Sequence, residues 1–310
     1  MHRIKGIIMI IIGSMFWGAT GPLIERILET TGITVSFLLT LRLTIAGLFL
    51  LCFLLISKKD IVSVWKAPSW RYQLIIFSVF GMLGVQFTFV GAINASNAVV
   101  ATLLQFSAPI FITTWVSLRM KKIPPRIQVI GILGTLSGLF LLMTNGSFES
   151  LMVSKQALLW GLAVGVAFSF YTLYPARLMK ELSILVIVGW AMLIGGIVLG
   201  TTNQIWRSKE WVILTQVEVL LMIALMIVLG TIAFVLFLSS MRYITPVETS
   251  ILSSVEPLTA MIISVIWFGT MLQAVQLFGV IIMLVFVTIL SIGGSSKKEL
   301  SKKALKEEIS

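Results

Sequence analysis

The sequence predicts an all-α integral membrane protein with ten transmembrane helices, built as two inverted-topology repeats of five helices each. Of its 310 residues, 58% are hydrophobic and only 11% are charged, whereas soluble domains carry about 25% charged residues. The apolar residues fall in blocks of roughly twenty, the length that a helix needs to cross a bilayer. Alternating segments of about ten residues, which are typical of a membrane β-barrel, do not occur.

Ten apolar blocks define the predicted spans, and short connections join them. The first five blocks are 7–24, 34–56, 73–91, 96–118 and 126–143. The second five blocks are 157–176, 184–202, 219–240, 246–267 and 273–292. The chain is therefore divided into a first five-helix repeat at 1–146, a second at 147–292 and a charged tail at 293–310.

The positions of the basic residues predict the orientation of the chain in the membrane. With these ten spans, 18 of the 23 Lys and Arg residues lie on one side and 4 on the other, and Arg42 lies within a span. Cytoplasmic loops are enriched in Lys and Arg. Both termini and the tail are therefore predicted to be cytoplasmic. Because these loops account for the net charge of +11, nucleic-acid binding is not expected.

An internal repeat supports the division into two halves. Five residues of the fourth and fifth spans recur 148 positions later without a gap: Val99, Leu104, Pro109, Gln128 and Gly131 match Val247, Leu252, Pro257, Gln276 and Gly279. Each half contains five spans, an odd number, so the second half must enter the membrane in the opposite orientation. Inverted repeats of this kind are typical of alternating-access transporters.

Two charged residues lie near the centres of predicted spans, Arg42 in the second and Glu256 in the ninth. Insertion scales assign a cost of about 2.5–3.5 kcal/mol to an Arg, Lys or Asp at such a position. Both side chains are therefore expected to face the bundle interior. Glu256 is a candidate substrate or proton site, and Arg42 a candidate anion-binding or gate residue. The alternatives are structural: a buried acid that sets helix packing, and an arginine that caps carbonyl groups or holds an acidic partner.

Two prolines, Pro109 and Pro257, fall near the centres of the fourth and ninth spans. Each proline removes a helical hydrogen bond, which leaves the carbonyl of Gln105 or Ser253 without its usual donor. In transporters such helix breaks can line a binding cavity. A static kink, common in membrane helices, is the alternative.

The remaining cavity candidates are polar or aromatic residues within the spans. They are Trp17, Gln86, Gln105, Tyr171, Trp190 and Ser253. Ser253 shares a helical face with Glu256, and Gln105 lies on the corresponding polar face of the repeat-related fourth span. Small and polar residues also mediate ordinary helix packing in membranes, which is the alternative for all of them.

Three short motifs occur in a specific order along the chain. They are Phe16-Trp17-Gly18 in the first span, Leu41-Arg42-Leu43 followed by Ala46-Gly47 in the second, and Ser254-Val255-Glu256-Pro257-Leu258 in the ninth. With Gly131 and Gly279, they resemble the EamA family of the drug/metabolite transporter superfamily, and the resemblance covers about residues 6–292. It implies a ten-span secondary carrier of metabolites, amino acids or drugs, often an exporter, with its substrate cavity between the two halves.

The same resemblance implies the partners of the chain. They are a small-molecule substrate, the lipid bilayer and, unless transport is simple facilitation, a proton or a counter-substrate; no cofactor is expected. One departure from the repeat concerns the acidic position. Ser107-Ala108-Pro109 stands in the first half where Val255-Glu256-Pro257 stands in the second, so the acid occurs only once.

Other functional classes lack the residues that they would need. A Gly-x-x-x-x-Gly-Lys-Ser/Thr phosphate loop is absent from the sequence, which argues against a primary pump. His2 is the only histidine and Asp60 the only aspartate, and neither lies within a predicted span. Together with the single cysteine, Cys52, this argues against a metal site and against two-carboxylate catalysis. The chain is therefore not expected to be an enzyme, and a non-transporting receptor or accessory subunit is the remaining alternative.

Overall fold

The structure, a computed structural model, describes residues 2–66, 68–121, 123–147, 153–176, 178–244, 249, 252–253, 255–269, 271–286 and 288–289. These residues are predominantly helical, and no strand occurs among them. Within the described ranges, seven helices are long and apolar enough to cross a membrane, and three shorter helices are also apolar. The predicted all-α membrane class is confirmed.

Eleven helices are named here in chain order. The first half contains α1 (His2–Thr31), α2 (Val35–Ile56), α3 (Pro68–Ala95), α4 (Ala98–Gln105), α5 (Ala108–Met120) and α6 (Arg126–Thr144). The second half contains α7 (Lys155–Leu173), α8 (Ile184–Thr202), α9 (Val217–Ser240), α10 (Val255–Phe268) and α11 (Ala274–Phe286). Short helical turns at Ser63–Lys66, Tyr174–Ala176, Leu178–Glu181, Ile205–Arg207 and Lys209–Thr215 lie in the connections.

Helices of one half pack mainly against helices of the other half. α2 packs along α8, α1 along α9 and α10, and α7 along α3, α4 and α5. The buried core of the bundle is mostly apolar and rich in aromatic rings, and Tyr171, Phe77 and Phe234 are among its largest fully buried side chains. These crossings between the halves bring side chains from distant parts of the chain to one central site.

The fourth predicted span is broken, as the prolines suggested. α4 ends at Gln105, residues Phe106 and Ser107 form a turn, and α5 begins at Ala108. Pro109 is therefore in the first turn of α5, where the missing N–H of a proline costs little. The tight bond from the Ser107 N–H to the Leu104 carbonyl, 3.0 Å long, closes the turn.

A similar turn precedes α10, where Pro257 is the third described helical residue and Ser253 lies in the turn. The carbonyl of Ser253 was expected to lose its donor. In the structure it accepts a hydrogen bond of 2.9 Å from the backbone N–H of Glu256. This carbonyl is not free, because the chain tightens into an i to i+3 turn just before the proline and so satisfies it locally.

Candidate functional site

A small cavity lined by charged, amide and aromatic side chains lies between helices of both halves. Its volume is about 20 Å³, which is sufficient for about one water molecule. Five of the eight predicted cavity residues line it, each from a different helix: Trp17 of α1, Arg42 of α2, Gln86 of α3, Gln105 of α4 and Glu256 of α10. Thr20, Val85, Phe89 and Phe234 complete the lining.

Glu256 and Gln105 join the two repeat-related helices α4 and α10 across this cavity. The Nε2 of Gln105 donates a hydrogen bond of 3.1 Å to the Oε1 of Glu256. Both side chains are buried. α1 packs closely on α10 here, since a Cβ built on Gly18 would lie 2.4 Å from the carbonyl oxygen of Glu256. Gly18 thus allows α1 to hold the backbone of Glu256 in place beside the cavity.

Arg42 approaches the same cavity from α2 and is only 3% exposed. Its guanidinium carbon lies 5.9 Å from the centroid of the Phe234 ring, within the range of a cation–π contact. Gly230 makes room for the guanidinium, because a Cβ there would lie 2.2 Å from Nη2. The Nε of Arg42 has no hydrogen-bond partner among the described residues, and the partner of Glu256 is Gln105.

Gln86 of α3 is the least satisfied polar side chain of the site. It is 3% exposed, and neither Oε1 nor Nε2 has a hydrogen-bond partner among the described residues. Buried amide groups are nearly always hydrogen-bonded in proteins, and an unpaired one lowers stability. The cavity therefore contains a donor and an acceptor that a bound molecule could satisfy.

Two aromatic candidates lie outside the cavity lining. Tyr171 is fully buried and stacks on Phe77, with ring centroids 5.6 Å apart. Trp190 donates a hydrogen bond of 2.8 Å from Nε1 to the carbonyl of Ile61, and its ring packs edge-on against Trp65. Both residues thus have structural contacts, Tyr171 in the aromatic core and Trp190 near the connection between α2 and α3.

The other candidates are not part of the cavity lining. Ser253 and Pro257 are buried next to Glu256 in sequence. Pro109 lies in α5, and its side chain is outside the described residues. The two prolines therefore set the position of the helix breaks, while Gln105 and Glu256 present the polar groups.

Some residues of the site were missed by sequence reasoning. Phe234 packs edge-on against Trp17 with centroids 4.6 Å apart, but nothing in the sequence distinguishes it from other phenylalanines. Outside the cavity lining, Glu25 was placed just beyond the first predicted span. Instead α1 continues to Thr31, and the buried Glu25 accepts a hydrogen bond of 2.8 Å from the backbone N–H of Ala98. The sequence feature that could have indicated the burial of Glu25 is its position directly after an apolar block.

A second cavity is much larger but entirely different in character. It has a volume of about 720 Å³ and lies between α3, α5 and α7, beside a π-helical segment of α3 at Phe77–Leu83. All of its lining residues are apolar or glycine, and none is a predicted site residue. We therefore consider the small polar cavity, where charged and amide groups converge, to be the candidate functional site.

Comparison with known proteins identifies the family. The model of the EamA-like transporter family matches the chain twice, at residues 4–144 and at residues 155–292. The chain belongs to this family. The resemblance noted in the sequence motifs is thereby confirmed, and the protein is a multi-pass membrane transporter, a class that is not typically enzymatic.

Two relatives agree with this membership. The chain is 34% identical over 289 residues to YicL of Salmonella typhimurium, named an uncharacterized inner membrane transporter, covering 93% of this chain and 95% of that protein. It is 25% identical over 292 residues to YwfM of Bacillus subtilis, named an uncharacterized transporter, covering 94% and 95%. A solved crystal structure with 14% identity has a TM-score of 0.65 and covers 94% of this chain and 97% of that chain, which is a likeness of fold alone.

Proposed function

We propose that the protein is a secondary transporter that exports small metabolites, amino acids or drugs across the cytoplasmic membrane by alternating access. The observation that carries this proposal is the buried polar cavity between the halves, lined by Glu256, Gln105, Arg42 and Gln86. Charged groups deep in a membrane protein are typical of substrate and ion pathways. In a member of a transporter family, such a cavity is the natural binding site for the substrate.

The proposed architecture is ten spans in two inverted five-helix repeats, with α4 and α5 together forming the fourth span. The pattern of helix contacts supports this architecture. When each helix is replaced by its counterpart in the other half, the contacts of α1 become the contacts of α7. α1 packs on α9 while α7 packs on α3, and α1 packs on α10 while α7 packs on α4 and α5. With an odd number of spans in each half, the axis that relates them lies in the membrane plane.

The crossing of α2 and α8 supports this symmetry in atomic detail. A Cβ on Gly47 would lie 2.5 Å from the backbone nitrogen of Leu193, and a Cβ on Gly196 would lie 2.7 Å from that of Thr44. Thr44 and Leu193 are 149 positions apart, and so are Gly47 and Gly196. Each helix thus offers a glycine to the same position of its partner, as expected at an axis of twofold pseudo-symmetry.

Binding of a substrate requires the helices to move apart. The cavity of about 20 Å³ is far smaller than the roughly 300–1,000 Å³ of typical small-molecule sites. The turns at Phe106–Ser107 and at Ser253 interrupt the helices beside Gln105 and Glu256, so each helix could bend there. We infer that these breaks allow α4 and α10 to open the site alternately to the two sides.

A flux assay tests the proposed function directly. Purified protein in liposomes should move at least one compound of a panel of amphipathic metabolites, amino acids and drugs faster than empty liposomes do. Dependence on an imposed pH gradient would identify a proton as the coupling partner. Stimulation by substrate on the opposite side alone would identify exchange. Folded protein that moves no compound of the panel would instead favour the receptor or accessory-subunit alternative.

The proposed orientation, with cytoplasmic termini, predicts the result of a labelling experiment. Cys52 is replaced, and single cysteines are placed at Ser147, which follows α6, or at Ser301 of the tail, outside the described residues. An impermeant thiol reagent applied to intact cells should label the cysteine at 147 and spare the one at 301. The reverse pattern would contradict the orientation and the number of spans.

A further inference from the structure

Three buried polar atoms of side chains that line the central cavity lack hydrogen-bond partners among the described residues. They are the Nε of Arg42 and both side-chain amide atoms of Gln86. Arg42 and Gln86 are each only 3% exposed, and both line the cavity. Because buried polar groups are nearly always hydrogen-bonded in native proteins, such a concentration of unpaired atoms indicates a site that a ligand completes.

Glu256, the other charged residue of the lining, already has a side-chain partner. Its carboxylate accepts a hydrogen bond from the amide of Gln105. The lining therefore presents a paired carboxylate on α10 and unpaired donors on α2 and α3. The rings of Trp17, Phe89 and Phe234 also line the cavity and offer apolar contact to the remainder of a ligand.

We propose that Arg42 and Gln86 form a carboxylate-binding subsite and that Gln86 determines the preference of the transporter for acids over their amide analogues. This inference rests on the proposed function of the same cavity. The planar guanidinium matches the two oxygens of a carboxylate, and the Nε2 of Gln86 donates a further hydrogen bond to it. The Oε1 of Gln86 accepts a hydrogen bond from a donor elsewhere on the substrate, such as the ammonium group of an amino acid.

The chemistry of the subsite explains why an amide analogue is rejected. An amide analogue that keeps the ammonium group still occupies the Oε1 of Gln86, but one carboxylate oxygen is replaced by an NH₂ group that would face the donors of Arg42 and Gln86. Groups of the protein would then remain buried and unpaired, which is the main source of discrimination in polar sites. An acid supplies two acceptor oxygens and also neutralises the buried charge of Arg42.

Matched ligand pairs test the subsite. Binding to the purified protein is measured by calorimetry for phenylalanine against phenylalaninamide and for leucine against leucinamide. The natural protein should bind the acid of each pair at least about tenfold more tightly, since a hydrogen bond to a charged group contributes that much or more. Gln86→Met should weaken binding of the acids about tenfold and leave binding of the amides within about twofold.

Two further variants complete the design. Gln276→Met removes another buried glutamine amide, one that donates to the Leu142 carbonyl away from the cavity, and should leave the preference unchanged. Gln86→Glu keeps the shape of the natural side chain and should abolish binding of the acids, because the new carboxylate repels the carboxylate of the ligand. This variant tests the subsite even if Gln86→Met does not fold.

Binding and flux can fail separately. Equal affinity for acid and amide, no binding of either compound, or an equal loss of both in Gln86→Met would overturn the carboxylate subsite even where flux of other compounds is observed. Preferential binding of acids without any flux would support the subsite and contradict the proposed transport function.

Discussion

Glu256→Gln is expected to reduce substrate flux by about tenfold or more while leaving the fold intact. The amide has the shape of the carboxylate and can still accept the hydrogen bond that Gln105 donates to Glu256. What is lost is the ionisable group beside the cavity, and with it the capacity to bind a proton or to present a negative charge to the substrate. Hydrogen bonds to charged groups contribute about 1.5–3 kcal/mol, and each 1.4 kcal/mol corresponds to about a factor of ten in affinity.

The measurement is flux in liposomes per molecule of folded protein, with the unfolding temperature recorded in parallel. Glu218→Gln is the matched control, because Glu218 is an exposed carboxylate in the first turn of α9 and should be neutral. A well-folded Glu256→Gln protein with normal affinity and flux would remove Glu256 from the site. A parallel loss of stability and flux would assign it a packing role instead.

The same variant distinguishes two roles of the carboxylate. If Glu256 carries the coupling proton, Glu256→Gln should abolish transport driven by a pH gradient and spare exchange of substrate across the membrane. If Glu256 only binds substrate, gradient-driven transport and exchange should fall together. Because the acidic position occurs in one half only, a single variant is sufficient for this comparison.

Gly47→Ala is expected to destabilise the protein strongly, although it adds a single methyl group. The new Cβ would lie 2.5 Å from the backbone nitrogen of Leu193 and 2.8 Å from its Cα, and backbone atoms cannot move aside without separating α2 from α8. Small residues at crossings of this kind allow membrane helices to approach closely. Overpacking typically costs about 1–3 kcal/mol, and a clash with backbone belongs at the upper end.

Gly84→Ala is the matched control for this prediction. Gly84 is also a helical glycine, but a Cβ there would make only ordinary contacts of 3.5 and 3.9 Å, and alanine is the better helix former by about 1 kcal/mol. The unfolding temperature in detergent should fall for Gly47→Ala and remain or rise for Gly84→Ala. Equal stability of the two variants would contradict the close approach of α2 and α8.

Sequence reasoning pointed most directly to cavity-lining residues where a residue was costly in its predicted environment. Arg42 and Glu256 were singled out because a charge within a span needs compensation, and both line the cavity. Gln86 and Gln105 followed from polarity alone. The same reasoning could not separate Trp17, which lines the cavity, from Tyr171, which lies in the aromatic core, because an aromatic residue suits either environment.

The length and composition of the apolar blocks by themselves determined the membrane class, since a bilayer admits few spanning structures and helices satisfy their own backbone. Short motifs similarly indicated the family. Only the tertiary structure decided which side chains share one cavity. Arg42, Gln86, Gln105 and Glu256 are brought together by the crossings of α2, α3, α4 and α10. Those crossings depend on close contacts between residues far apart in the chain, such as Gly47 with Leu193, and no local pattern specifies them.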